Sequence, residues 1–227
     1  MTEFMRPTVT TEEVSDTVAR FIVEPLERGY GNTLGNSLRR VLLSSLDGAK
    51  ATAIQIEGVQ HEFTTAEGVI EDITDIVLNV KGLVFSALNG DVEEAIAHVS
   101  VEGPCVVTAD SIKCDSEVEI LNPEMHIATL GEGAKLYMEL TLDKGRGYVP
   151  AERNKQNMNN NNAVIGELPV DSIYTPVYKV NYNVEPTRVG QSLNFDKLTL
   201  EVWTNGVIGA QEAVSLAAKV LTEHLNL

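Results

Sequence analysis

The sequence predicts an α+β fold. Two observations carry that prediction. Apolar residues recur at helical spacing around 34–46, 66–83 and 210–225. The strand-like runs, by contrast, come in blocks and do not alternate one by one with helices, which argues for antiparallel sheets over a doubly wound parallel one.

Taken in order, residues 1–16 are polar and rich in Thr and Glu, so a frayed start is expected, with Thr17 to Val23 as the first strand. Pro25 should stop that strand, because it has no N–H to donate to a ladder. Glycines at 29, 31 and 35 then punctuate a turn, and Leu34, Leu38, Val41, Leu42, Ser45 and Leu46 recur as on an amphipathic helix ended by Asp47-Gly48. Arg39 and Arg40 sit on its flanks, and Arg40 points well away from Leu38. One helix can therefore carry two separate contact surfaces.

Ala51 to Glu57 alternates as a half-buried strand does. Val69, Ile70, Ile73, Ile76, Val77 and Val80 keep a helical period across 66–83, with Glu67, Glu71 and Asp72 at the favourable N-terminal end and Lys81-Gly82 closing it. Strand-like runs follow at 98–101, 105–108, 118–121, 125–128 and 136–142. Residues 143–169 read as loop, and the asparagine-rich part at 156–162 has no apolar period to bury, so disorder is expected there. Val177 to Val184 and Leu198 to Trp203 are strands by alternation and aromatic content. A turn at Asn205-Gly206 leads into a final helix from about Ala210 to Leu225, whose stripe of Ala213, Val214, Ala217, Val220, Leu221, His224 and Leu225 should pack, His224 included.

Charge excludes one class of partner. Acidic residues number 33 against 17 basic, a formal net charge of −16, and no basic stripe is visible, so a polyanion would be repelled. Cys105 and Cys114 are too far apart in sequence for a redox pair. With no export signal and no long apolar run, a cytoplasmic chain is expected.

Catalytic chemistry finds little support. His61, His98, His126 and His224 are scattered, no Asp-x-Asp motif offers magnesium, and acidic pairs such as Glu71-Asp72 read as helix starts or solvated faces. No catalytic residue, metal or cofactor is expected. One alternative is a nucleotide-dependent enzyme: Gly29-x-Gly31-x-x-x-Gly35 lies one residue off a dinucleotide fingerprint, and Glu57, closing the next strand, resembles a ribose-binding acid. Against it, Glu24 to Arg28 separates the strand from the glycines. A self-associating scaffold is the other alternative.

The run from Val23 to Arg40, VEPLERGYGNTLGNSLRR, continued by VLLSSL, resembles the N-terminal domain of the bacterial RNA polymerase alpha subunit. Further agreement lies in GVQHEF (58–63), NVKGL (79–83), GRGYVPA (145–151), DSIYTPV (171–177) and DKLTL (196–200), so the resemblance spans nearly the whole chain. It implies a dimerisation domain built from both chain ends, 1–48 and 177–227, with an inserted β-rich domain at 49–176. It further implies a non-catalytic assembly subunit that homodimerises and serves as a platform for the beta and beta-prime subunits in transcription.

The residues follow from the same resemblance. Leu34, Leu38 and Leu42, with Val214, Ala217 and Leu221 of the last helix, are the expected dimer interface. Arg40 is the expected contact to beta, with Arg39 beside it, and Lys81 and Val170 fall where the family approaches beta or beta-prime. Read without the resemblance, the leucines are ordinary core, the arginines a solvated helix face, Lys81 a helix C-terminal charge and Val170 a strand residue. The family continues through a flexible linker into a small DNA-binding domain, nothing of which is expected in these residues, so no direct DNA binding is expected of this portion. No site is placed on the asparagine-rich stretch.

Overall fold

A computed structural model describes residues 6–86, 94–114, 118–160, 164–190 and 192–226. Its helices and sheets make the chain α+β, and it divides into two compact units, one from Met1–Leu46 with Thr175–Leu227 and the other from Asp47–Tyr174.

The first unit is one antiparallel sheet with two helices. Thr8–Ser15 (β1) pairs with Val18–Glu27 (β2), so the polar start described here is an edge strand and not a frayed end. Every residue of β1 is exposed, which removes the alternation that betrays a strand in sequence. Pro25 does not end β2. Val23 pairs with Leu198 and Leu26 with Asp196, so Glu24 and Pro25 together face Lys197 in a bulge, where a missing N–H is tolerated. Val177–Val189 (β12) and Ser192–Thr204 (β13) complete the order β1-β2-β13-β12. Tyr30–Ser44 (α1) and Ala210–Leu225 (α4) cover one face over Phe21, Val180, Leu200 and Val202. The other face is polar: Arg20 clasps Glu201 at 2.8 Å, and the Lys179 ammonium lies 4.5 Å from the centre of the Trp203 ring.

The second unit is built on a five-stranded antiparallel sheet in the order β10-β3-β8-β4-β6, formed by Asp47–Ile56 (β3), Glu94–Glu102 (β4), Ile112–Cys114 (β6), Lys135–Arg146 (β8) and Glu167–Pro169 (β10). Cys105–Thr108 (β5) pairs with His126–Leu130 (β7), and Tyr148–Val149 (β9) with Ser172–Ile173 (β11). Its core gathers Ile54, Ile73, Ile76, Phe85, Val99, Ile127, Met138 and Leu140.

Several sequence expectations are corrected here. The helix expected at 66–83 spans only Ile73–Lys81 (α2): the Asp72 carboxylate accepts from the Asp75 amide at 2.8 Å and fixes the start, while Ile70 donates to the Thr129 carbonyl and Gly68 adopts φ +75. The stretch expected as loop at 143–169 holds the end of β8, β9, a helix at Ala151–Asn160 (α3) and β10. Asn161 and Asn162 lie outside the described residues. His224 is exposed, its Nδ1 2.9 Å from the Val220 carbonyl.

Candidate functional site

The glycines at the head of α1 are explained by packing. A Cβ at Gly31 would meet Val184 Cγ1 at 2.6 Å, and one at Gly35 would meet Tyr182 Cδ2 at 2.7 Å and Leu198 Cδ1 at 2.9 Å. Only glycine lets this helix lie so close to β12 and β13. Asp196 of β13 completes the joint: its Oδ2 accepts from Gly29 N at 2.8 Å and from Gly31 N at 3.3 Å, which satisfies amides that the helix itself cannot.

This removes the nucleotide reading. A phosphate at this turn would compete with a carboxylate already seated on the amides and be repelled by it. The strand before the turn (β2) and the strand ending before Glu57 (β3) also lie in different sheets, whereas a dinucleotide fold needs them parallel in one. Among the described residues no group of three or more His, Cys, Asp or Glu side chains is placed to hold a metal ion.

Seating the glycine face on the sheet turns the leucines sideways. Gly31, Gly35 and Leu42 are the buried residues of α1; Leu34 and Leu38 are half-buried. On α4 the buried residues are Ala210, Ala213 and Ala217, again small side chains against the sheet, with Val214 and Leu221 half-buried, Leu216 exposed and Leu225 79% exposed. Leu42 and Ala217, expected at a dimer interface, are each 0% exposed in the chain's own core and offer no surface to a partner. Leu34, Leu38, Val214 and Leu221 do offer it, and α1 packs directly against α4, so the two apolar margins are neighbours. Arg39 and Arg40 are both exposed, and among the described residues neither guanidinium has an ion-pair partner.

The other two expected residues lie in the second unit. Lys81 ends α2, where a positive charge suits the helix dipole. A second cation helps: Lys50 Nζ donates to the Leu83 carbonyl at 2.5 Å, and burial lowers the Lys50 pKa. Lys81 Nζ itself bonds Asp171 Oδ2 at 2.7 Å, and Asp171 Oδ1 accepts from the Ala151 amide, the first of α3, at 2.8 Å. The Lys81 bond, then the Ala151 bond, hold the Asp171 carboxyl below its ordinary pKa. Val170 is 1% exposed, its amide bonded to the Thr52 carbonyl and its carbonyl to Asn154 Nδ2 at 2.7 Å. Its side chain belongs to the core and has almost no surface of its own.

Asp171, Tyr148 and Asp196 escaped the sequence reading. Each stands in or beside a segment that carried the family resemblance, but a lone acid or tyrosine there has no spacing signal of its own.

Residues 54–175, nearly all of the second unit, match the family described as the RNA polymerase Rpb3/RpoA insert domain. The whole chain is 57% identical over 227 residues to the DNA-directed RNA polymerase subunit alpha of Carboxydothermus hydrogenoformans, covering 71% of that protein. No helix among the described residues is long and apolar enough to cross a membrane. A motif-bearing helix seated on its sheet by glycines, a second unit matching the insert domain, and identity running the full length of the chain together place this protein in the family of bacterial DNA-directed RNA polymerase alpha subunits.

Proposed function

We propose that the chain works as the assembly platform of a bacterial RNA polymerase: the unit made from both chain ends dimerises, the inserted unit and the α1 arginines meet the beta and beta-prime subunits, and the chain does no chemistry itself. The observation that carries this reading is the apolar margin of Leu34, Leu38, Val214, Leu221 and Leu225 along two adjacent helices. The sheet-facing positions of both helices are filled by glycine and alanine, and although Leu38 and Val214 also touch the core, each of these five side chains keeps surface that one chain leaves uncovered. A twofold copy buries them without leaving an open edge.

The proposal is tested by the mass of the isolated chain in solution at micromolar concentration. It predicts a dimer of twice 24.7 kDa. Leu38→Asp buries an unpaired carboxylate at the interface, which costs more than burying any neutral polar group, and should give monomers. Leu38 also touches its own core, so Leu225→Asp, at a site exposed within the chain, is the cleaner companion and should weaken the dimer while costing the monomer no more than the roughly 0.3–1 kcal/mol of an acid at a helix C-terminus. A folded monomer for the unmodified chain contradicts the proposal.

A further inference from the structure

Resting on the assignment of Lys81 to a contact with a large subunit, we propose that Asp171 is the positioning residue of that contact, and that Val170 matters only by anchoring it. The Asp171 carboxylate joins three elements. It holds the last side chain of α2 through Lys81 Nζ at 2.7 Å and the first amide of α3 through Ala151 N at 2.8 Å, and the Tyr148 hydroxyl of β9 faces it. Its own backbone is pinned on both sides. Val170 before it is core, with its amide on the Thr52 carbonyl at 2.8 Å; Ser172 after it is fully buried, with its hydroxyl on the Ala51 carbonyl at 2.8 Å.

The surface so ordered has a definite chemistry. Tyr148 and Ile173 are direct partners across β9–β11 and are 60% and 48% exposed. Lys81 spends one of its three ammonium donors on Asp171, and among the described residues no other acceptor takes the remaining two, which leaves them for a partner. An apolar or aromatic side chain seated on Tyr148–Ile173, beside a carbonyl or carboxylate acceptor for Lys81, is the complement this surface fits. Without Asp171 the lysine regains its rotamer freedom and has to be ordered again when the partner binds.

The test is a double-mutant cycle on the affinity of this chain for purified beta and beta-prime: unmodified, Lys81→Ala, Asp171→Asn and the double variant. Each single change should weaken binding about tenfold, and the double variant should be no more than about twofold weaker than Lys81→Ala, because Asp171 acts through Lys81. Losses that multiply, as a merely structural role gives, overturn the inference. So does an Asp171→Asn chain of unmodified affinity; if Lys81→Ala still weakens binding in that case, the lysine assignment survives. A Lys81→Ala chain of unmodified affinity overturns both. Asp171→Glu keeps the charge and should recover part of what Asp171→Ala loses; no recovery also counts against the inference.

Discussion

Gly31 and Gly35 show how one residue type carries two readings. In sequence, glycines between a strand and a helix suggest a ligand's approach; in the fold they admit the sheet, and Asp196 takes the place a phosphate would occupy. Gly35→Ala would gain about 1 kcal/mol of helix propensity, but its methyl would press on a Tyr182 ring carbon and a buried Leu198, an overpacking cost of about 1–3 kcal/mol. Net destabilisation is expected, seen as a lower urea midpoint at unchanged slope; a higher midpoint would mean the helix sits farther from the sheet. Arg40 belongs to the opposite case, an exposed side chain with no ion-pair partner among the described residues. Arg40→Ala should leave dimer mass and melting unchanged while weakening beta binding by ~2 kcal/mol, about thirtyfold, and Arg39→Ala should matter less. Equal affinity for Arg40→Ala and the unmodified chain would return both arginines to a solvated face. Their exposure was legible in sequence, since both lie off the apolar stripe of α1. Leu42 and Ala217 were not, since periodicity marks an apolar stripe without saying which edge of it the chain's own sheet consumes.

Elements were legible where burial is one-sided. The α4 stripe placed that helix at Ala210–Leu225, and alternation placed β8, β12 and β13. β1 was missed because it buries neither face, and α3 because its cohesion is tertiary. Asn154 docks the asparagine-rich helix: buried to 4% exposure, it donates to the Val170 carbonyl at 2.7 Å and to Ser172 Oγ at 3.1 Å, tying α3 to the segment between β10 and β11 that carries Asp171. Asn154→Ala leaves the Val170 carbonyl only the long 3.5 Å approach of Ser172 Oγ and should cost about 1–3 kcal/mol, with helix signal lost before the main unfolding step. Unchanged stability and a single transition would mean that α3 docks by other contacts. The shortened α2 has the reverse cause. Val69 and Ile70 fit the helical period by coincidence, but their backbone is spent on β7, through the Val69–Leu130 bridge and the Ile70 bond to Thr129.

At the scale of the molecule, composition excluded more than it identified. A net charge of −16 speaks against a nucleic-acid role for these residues, but nothing in composition says that residue 46 and residue 175 belong to one unit. That discontinuity came only through the family resemblance, because closing a unit from two distant segments leaves no local pattern in either. The proposed role rests on a stoichiometry: two copies of this chain, joined through the apolar margin of α1 and α4, for each beta subunit. The direct test is the mass of the complex formed by this chain with purified beta subunit, read by light scattering across a size-exclusion peak. Two copies of the chain per beta is the predicted result, with Leu225→Asp shifting the peak toward free components. One copy per beta at saturating chain, or no complex at all, would contradict the account.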